Sequence, residues 1–423
     1  MSTFRGIIEE LPGISMDRFE MNNRTSSTAF FLSHFHGDHT VGLDDSFFQH
    51  INDKKQYIYC TPLTKTILVT KLRLSSKVEW INRIVDVAVC NPMVVSYRDP
   101  NVDRYDKNCE ENCDSALTVT AVPAGHCPGS VMFMFEAKRD DKDVNILCTG
   151  DFRIHPHDFA KLKPLHVRVH DKLVPRSFDN IYLDTTFYGE IARFPNRSEA
   201  LGQIVPVVEE WLGRDPQNFV VFEISANYGS EDLFCKLSAS IKQRIHVRNC
   251  VQESYRFTPE LSQYTTEDQN ETRVHACIAK GSRVPRESKR LICRDDVEKE
   301  NILTIIPSAW RWIGRDLSEG FTAWEDRRFY VCYSCHPSSS ELREFIDYFK
   351  PMKIHPCVVP GIHSRDAWRP EAQGKFKHFQ KKIIDELLVT SAEHPEKFEC
   401  DFMEFKSFKR RRPKTDSSSD DEL

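Results

Sequence analysis

Short apolar or alternating runs dominate about the first 170 residues and predict a strand-rich region. The runs are STAFFLSH, YIYC, ALTVTAVPAGH, SVMFMFEA and VNILCTGDF. Runs of this length, bounded by Gly, Pro, His or Asp, are typical of β-strands. Three of them lead into His34, His126 and Asp151. We therefore expect a rigid sheet that presents these side chains on loops at its strand ends.

The pattern changes after the strand predicted at NIYLDTTF (180–187). RSEALGQIVPVVEEWLG has the spacing of an amphipathic helix, in which Pro206 would mark a kink or a boundary. NFVVFEI predicts a buried strand, and YGSEDLFCKLSASI predicts another helix. This alternation indicates a separate α/β lobe inserted into the first domain.

Near residue 330 the sequence predicts one more strand and one more helix. The strand, at 328–334, runs into His336. Ser338 and Glu341 have the spacing of a helix-capping box, and Pro351 would end the helix. The apolar face of that helix would consist of Leu342, Phe345, Ile346 and Phe349.

These patterns predict four segments. Residues 1–175 would begin a first domain, 176–330 would form the insert, and 331–390 would return to the first domain. Residues 391–423 are polar and low in complexity, which predicts a disordered tail.

Composition indicates a folded protein of several domains. The chain has 423 residues, of which 40% are hydrophobic and 29% are charged. Its net charge of -5 argues weakly against a dedicated nucleic-acid-binding module but allows a local basic groove. There are 14 cysteines, yet we find neither a signal peptide nor an apolar run long enough for a membrane span. We therefore expect a reducing compartment, in which cysteines are thiols or metal ligands.

The segment SHFHGDHTVG places His34, His36, Asp38 and His39 within six residues. Imidazoles and carboxylates are the ligands of hydrolytic zinc sites. His34 and His36 alternate along an extended segment, so both point the same way, and Gly37 permits a turn. The string supplies ligands for parts of two sites. Two metal ions roughly 3.5–4 Å apart can bind the attacking and leaving oxygens of a phosphodiester.

This segment resembles the signature of the metallo-β-lactamase fold, an αββα sandwich of two sheets flanked by helices. The resemblance implies further ligands at His126 in VPAGHCPG and Asp151 in CTGDFR. Asp17 in SMDRFE stands where the family keeps an acid that orients a ligand histidine. One metal would be held by His34, His36, His126 and Asp151, and the second site would begin with Asp38, His39 and the shared Asp151.

Three other motifs, AGHCPGSVMF, TGDFR and LDTTF, are similar to the nucleic-acid-processing branch with an inserted β-CASP lobe, and within it to the DNA-repair nucleases. Asp184 matches the branch's first extra motif. His336 in YSCHPSSSEL matches its late histidine, which implies a ligand or a phosphate contact at the second metal. The candidate catalytic residues are therefore Asp17, Asp38, Asp151, Asp184 and His336.

A second possible metal set lies in the insert, at His246, His275, Cys277 and Cys293. Two imidazoles and two thiolates suit a closed structural zinc, although spacing alone also allows buried cysteines with unrelated histidines. The opening FRGIIEELPGISMDRFE and the segment TTEDQNETRVHAC resemble the Artemis nucleases, and the resemblance covers about residues 1–385. It implies that the four residues bind a structural zinc.

The resemblance implies a metal-dependent DNA nuclease of double-strand-break repair by non-homologous end joining. Such an enzyme would be a 5′–3′ exonuclease on single strands and an endonuclease on hairpins and overhangs. It would use one or two catalytic zinc ions, with magnesium or manganese as alternatives at the second site. A DNA-dependent protein kinase and an end-joining ligase are the implied partners. KRRRPK (409–414) is either a nuclear import signal or a solvated basic tail, and the implied function favours the nucleus.

Three alternatives stay open from the sequence. They are an RNA-processing endonuclease of the same superfamily, a small-molecule metallo-hydrolase and a catalytically dead scaffold. The large insert argues against a small substrate, and the complete ligand set argues against a scaffold. Phe187, Tyr188 and Tyr228 either stack on unpaired bases or pack in the core. Around VVFEISANYGSEDLF the polar residues depart from the family, where a basic residue can stand near Ser225, so phosphate contacts there stay open.

Overall fold

The computed structural model describes residues 2–99, 115–139, 141–224, 226–256, 258–279, 291, 293–359, 362 and 370–389. The tail predicted at 391–423, its KRRRPK segment and Ser225 lie outside the described residues. Among the helices of these ranges, none combines the length and the apolar character that crossing a membrane requires.

The chain begins with a sheet of four parallel strands in sequential order. These are β1 (Ile14–Met16), β2 (Ala29–Phe31), β3 (Tyr57–Cys60) and β4 (Ile84–Asp86). The helices between them are α1 (Met21–Ser26), α2 (Asp45–Asp53), α3 (Pro62–Lys71) and α4 (Val78–Ile81). On one face of the sheet, Phe30 and Ile58 are buried with Phe47 of α2 and Leu68 of α3.

A second sheet starts as an antiparallel meander. Its strands are β5 (Pro92–Tyr97), β6 (Ser115–Pro123), β7 (Val131–Arg139) and β8 (Lys142–Cys148). A hairpin of β9 (His166–Val169) and β10 (Lys172–Pro175) follows. The next strand, β11 (Asn180–Leu183), then pairs parallel to β8.

The predicted insert contains a third sheet of seven strands. Its strands are β12 (Phe219–Ile224), β13 (Ile245–His246), β14 (Thr265–Thr266), β15 (Val274–Ala279), β16 (Ile302–Pro307), β17 (Thr322–Glu325) and β18 (Arg328–Val331). The order is β14-β13-β15-β12-β16-β18-β17, and only β17 pairs antiparallel. The helices of this segment are α5 (Arg197–Arg214), α6 (Glu231–Ile241), α7 (Asn249–Tyr255) and α8 (Pro259–Ser262).

Pro206 lies inside α5, so the expectation that it marks a helix boundary is wrong. Proline in a helix interior costs about 3 kcal/mol. Ile204, Val208 and Leu212 of the same helix are buried against the seven-stranded sheet. Each fully buried aliphatic side chain contributes about 1.5–3 kcal/mol, so packing offsets the cost of the proline.

The chain then returns to the second sheet through α9 (Ser339–Phe349), β19 (Ile354–Pro356) and α10 (Pro370–Ile384). The predicted capping box is present, because Ser338 and Glu341 each accept the other's backbone N–H. Strand β19 pairs parallel to β11 at the edge of the sheet. A π-helical turn, Asp385–Val389, follows α10.

The first two sheets pack face to face between helices. The ring of Phe31 on β2 lies 5.0 Å from Phe135 and 5.3 Å from Phe133, both on β7. Met132 and Met134 alternate with them and point to the opposite face, where α9 and α10 are buried. The layer order is therefore helix, sheet, sheet, helix, as predicted. The boundaries placed at 175, 330 and 390 stay predictions.

Candidate metal centre

The predicted site residues follow directly on the ends of strands. Asp17 follows β1, His34 follows β2, His126 follows β6, Asp151 follows β8, Asp184 follows β11 and His336 follows β18. Within each sheet the strands concerned run in the same direction, so their carboxyl ends meet at one edge. The structure brings all six residues, together with His36, Asp38 and His39, into one cluster.

The carboxylate of Asp151 lies at the middle of this cluster. Its Oδ2 is 3.6 Å from Nε2 of His34, 3.5 Å from Nε2 of His126 and 4.0 Å from Nδ1 of His336. Its Oδ1 is 3.2 Å from Nε2 of His39. Its two oxygens therefore face two different groups of histidines.

Gly150 allows the loop that carries Asp151 to lie against Ser33, next to His34. The residue has φ +53°, and a Cβ added to it would lie 2.7 Å from Oγ and 2.8 Å from Cβ of Ser33. Any larger residue would push the β8 loop away from the segment that carries His34.

Backbone carbonyls determine which ring nitrogens of His36 and His126 face inward. Nε2 of His36 lies 3.0 Å from the carbonyl oxygen of Tyr228, and Nδ1 of His126 lies 2.9 Å from that of Cys335. A carbonyl only accepts, so both of these nitrogens carry the proton. The other two, Nδ1 of His36 and Nε2 of His126, are 3.0 Å apart and face each other with lone pairs. A cation between them would turn this repulsion into coordination.

Asp17 orients two further histidines. Its Oδ1 accepts the backbone N–H of Ser33 at 2.7 Å, and its Oδ2 lies 2.6 Å from Ser33 Oγ and 2.9 Å from Nδ1 of His39. Ser33 donates its hydroxyl proton to Asp17, so its Oγ accepts from Nδ1 of His34 at 2.9 Å. The Nε2 atoms of His34 and His39 are consequently aimed inward. Both atoms are buried and face the carboxylate of Asp151, at 3.6 Å from Oδ2 for His34 and at 3.2 Å from Oδ1 for His39.

Asp38 and Asp184 each lie near one histidine of the cluster. Oδ2 of Asp38 is 3.9 Å from Nε2 of His39 and accepts the backbone N–H of Ser2 at 2.8 Å. Asp184 is completely buried, and its Oδ2 lies 2.8 Å from Nδ1 of His336. Asp184 therefore reaches the centre through His336 and touches no open space itself.

The protonation states suit a divalent cation. Burial, together with neighbouring imidazoles, lowers the pKa values of His34 and His126 well below their usual range, which leaves both rings neutral. Burial opposes the charge on His39, but the carboxylates of Asp151, Asp38 and Asp17 outweigh it and raise its pKa well above the usual value. The neutral imidazoles of His34 and His126, beside the Asp151 carboxylate, are a donor set that binds zinc and similar ions.

A second cluster lies in the seven-stranded sheet. His246 on β13 pairs in register with His275 on β15. Cys277 follows His275 by two residues and therefore lies on the same face of β15. The Nδ1 atoms of the two histidines are 2.9 Å apart. Sγ of Cys293 lies 3.5 Å from Sγ of Cys277, 3.3 Å from Nδ1 of His275 and 3.7 Å from Nδ1 of His246.

The three distances to Sγ of Cys293 match a closed tetrahedral site, whereas the Nδ1–Nδ1 distance of 2.9 Å is shorter than such a site requires. Zinc bound to sulfur at about 2.3 Å and to nitrogen at about 2.0–2.1 Å separates neighbouring ligand atoms by roughly 3.3–3.8 Å. Nε2 of His275 faces the carbonyl of Thr272 at 3.1 Å, which leaves Nδ1 as the ligand atom. Hydrogen bonds from Cys277 and the two histidines lower the pKa of Cys293, and the bond to Cys293 together with burial raises the pKa of Cys277.

Comparison with known proteins finds similar proteins in DNA repair. Residues 259–361 match the family described as DNA repair metallo-beta-lactamase. Protein artemis from Homo sapiens is 33% identical over 370 residues, which are 85% of this chain and 50% of that protein. DNA cross-link repair protein SNM1 from Arabidopsis thaliana is 26% identical over 364 residues, 84% of this chain and 66% of that protein.

This chain resembles the DNA repair metallo-β-lactamase family. The resemblance and the α/β fold class expected from the motifs are thus confirmed. A similar match to Protein artemis from Danio rerio is 31% identical over 373 residues, which are 85% of this chain and 54% of that protein. The chain spans about half the length of the artemis proteins that it matches. The resemblance, together with the clustered His and Asp side chains, implies divalent metal binding.

The sequence did not reveal the groups that orient the histidines of this metal centre. Ser33 connects Asp17 to His34, and the carbonyls of Tyr228 and Cys335 hold His36 and His126. The serine stands in the motif itself and is a recognisable signal. The two carbonyls come from the inserted segment and from the turn after it, so no local pattern predicts them.

Three aromatic residues that could stack on bases are packed in the core instead. Phe187, Tyr188 and Tyr228 are all buried, and the hydroxyl of Tyr228 is hydrogen-bonded to Ser254. Of the two functions expected for these rings, core packing is therefore the one that the structure supports.

Proposed function

We propose that this protein is a metal-dependent phosphodiesterase that cuts DNA. The observation that carries the proposal is the facing pair of lone pairs on His36 and His126, 3.0 Å apart, beside the buried Nε2 atom of His34, which has no hydrogen-bond partner. A divalent cation relieves both features. The family that residues 259–361 match and the relative SNM1 are both described as DNA-repair proteins, which supports DNA as the substrate.

The ligand atoms follow from the ring orientations. The first ion would be held by Nε2 of His34, Nδ1 of His36, Nε2 of His126 and Oδ2 of Asp151. The second would be held by Nε2 of His39, Asp38 and Oδ1 of Asp151, with zinc at the first position and zinc, magnesium or manganese at the second. When bound, such ions supply Lewis-acid polarisation of the phosphoryl group and an activated water near neutral pH.

The protein's own residues would position the substrate and stabilise its charge. Asp17 keeps His39 and His34 oriented, as a carboxylate behind a ligand histidine commonly does. Burial opposes the charge on His336, but the carboxylates of Asp184 and Asp151 raise its pKa above the usual value. His336, held at Nδ1 by Asp184, would then donate from Nε2 to a phosphoryl oxygen and neutralise charge in the transition state.

The biological role extends the same proposal. The resemblance to the Artemis nucleases supports 5′–3′ exonuclease activity on single strands and endonuclease activity on hairpins and overhangs, in repair by end joining. It also supports a nuclear location and contacts with a DNA-dependent protein kinase and an end-joining ligase. The second cluster would bind a structural zinc that holds β13, β15 and the Cys293 loop together.

The test is cleavage by the purified full-length protein. End-labelled single-stranded, hairpin and overhang DNA, and RNA of the same sequence, are incubated with zinc, magnesium or manganese and with a chelator. We expect cleavage of DNA in preference to RNA, and its loss with chelator. Absence of DNA cleavage under every metal condition, or a preference for RNA, would contradict the proposal.

A further inference from the structure

Trp310 is an exposed tryptophan that lies two ring contacts from the metal centre. Its side chain is 55% exposed, and it begins the short 3-10 helix Trp310–Trp312 that follows β16. Its ring centroid lies 5.1 Å from that of Phe187, whose own centroid lies 5.9 Å from that of His336. The Trp310 ring is therefore within about 11 Å of the His336 ring.

The support beneath Trp310 is rigid. Phe187 is only 2% exposed and packs edge-on against Phe194 at 5.2 Å. Both belong to a buried cluster with Trp312 and Cys332. One side of the Trp310 ring is thus fixed by the core, while its remaining surface faces solvent, although the fold would gain from covering so large an apolar ring.

Two arginines lie within five residues of this tryptophan in the chain. Arg315 is exposed and lies 5.6 Å from the ring of Trp312. Arg311 lies 3.9 Å from the ring of Tyr330 and is paired with Glu325. Proteins that bind single strands combine aromatic platforms for the bases with basic residues for the phosphates.

We propose that Trp310 is the platform on which a base of the substrate strand stacks, close to the phosphate that is cut. This rests on the proposed nuclease function and specifies how the strand is held. At a rise of about 3.4 Å per base step, 11 Å corresponds to about three steps. Phe187, Tyr188 and Tyr228 cannot take this role because they are buried.

Trp324 is a matched control. It is also 55% exposed and lies in the same seven-stranded-sheet segment, on β17. Its ring contacts Phe329 at 4.8 Å instead of the Phe187 ring that leads to His336. A general effect of removing a surface tryptophan would therefore appear in both variants.

The experiment measures kcat and KM on end-labelled single-stranded DNA, and on the same strand with one abasic position moved stepwise past the cut. We expect wild type to lose efficiency when a base within about three steps is missing. Trp310→Ala should raise KM roughly 5- to 150-fold with kcat changed only a few-fold, and should lose that abasic sensitivity. Trp310→Phe should keep most of the affinity, and Trp324→Ala should behave as wild type.

Two outcomes would overturn the stacking proposal alone: a flat abasic profile for wild type, or a Trp310→Ala variant that keeps the wild-type KM and profile. The wild-type profile and Trp310→Phe decide the matter even if Trp310→Ala fails to fold. Failure of the wild-type protein to cut any DNA would instead refute the nuclease function, and this proposal with it.

Discussion

Nδ1 of His39 lies 2.9 Å from Oδ2 of Asp17, and this contact determines which nitrogen of His39 faces Asp151. The same carboxylate oxygen binds Ser33, which in turn holds His34. One buried acid therefore orients two candidate ligands that the chain places five residues apart. Its own backbone has φ 55°, a conformation that asparagine tolerates and most residues do not.

Asp17→Asn should weaken metal binding about 10- to 100-fold, because the charge behind His39 is lost while the backbone conformation is kept. Titration calorimetry of metal-stripped protein measures the affinity. Asp171→Asn is the control, since Asp171 is exposed in the β9–β10 turn and has φ 63°. Equal affinities for Asp17→Asn and wild type would show that Asp17 does not support the metal.

Asp38→Asn should abolish DNA cleavage and leave the fold intact. The amide oxygen can still accept the N–H of Ser2, so local structure is retained, but the negative charge beside His39 disappears. Cleavage rates and thermal melting are measured together. A variant that cuts at the wild-type rate would remove Asp38 from the site.

Cys277→Ser should lower the zinc content by about one equivalent and reduce the melting temperature, because a structural zinc contributes directly to folding. Elemental analysis gives the metal content. Cys235→Ser, a half-buried cysteine on α6 outside the cluster, should change neither quantity. The structural-zinc proposal fails if both variants carry as much zinc as wild type.

Glu231 should make stability fall as the pH rises from about 5 to 7. Burial raises its pKa from 4.5 to about 7, while hydrogen bonds from Tyr255 and Gly229 oppose the rise. In this interval the folded protein keeps a proton that the unfolded chain has released, so each pH unit costs about 1.4 kcal/mol of stability.

Glu231→Gln replaces the carboxyl group with a neutral amide that does not titrate. Relative to wild type, the variant should gain about 2–3 kcal/mol in the free energy of unfolding between pH 5 and pH 7.5. Urea unfolding at both pH values measures the gain. Parallel pH profiles for the two proteins would mean that Glu231 is ionised throughout.

Local pattern predicted the residues that form the centre better than the contacts that hold them. The alternation of His34 and His36 and the strand ends before His126, Asp151 and Asp184 are short-range features, and the structure brings these residues together. The carbonyl of Tyr228 reaches His36 across 192 positions of the chain, a relation that only the packing of the insert creates.

Burial and tertiary packing explain the other differences. In the sequence, Phe187 and Trp310 are equally plausible as base-stacking aromatic residues. The structure distinguishes them, because Phe187 is buried and Trp310 is exposed. Pro206 suggested a kink or a boundary because proline destabilises a helix interior. The helix continues through it because the apolar face of α5 packs against the seven-stranded sheet.

Cleavage of end-labelled single-stranded DNA by Asp151→Asn, beside Asp171→Asn, tests the convergent metal centre most directly. Asp151 places one oxygen near each group of histidines, so its loss should lower the rate by about a thousandfold or more, as expected when several kcal/mol of transition-state stabilisation are removed. Asp171→Asn should cut as wild type does. An Asp151→Asn variant that is folded and cuts at the wild-type rate would contradict the account.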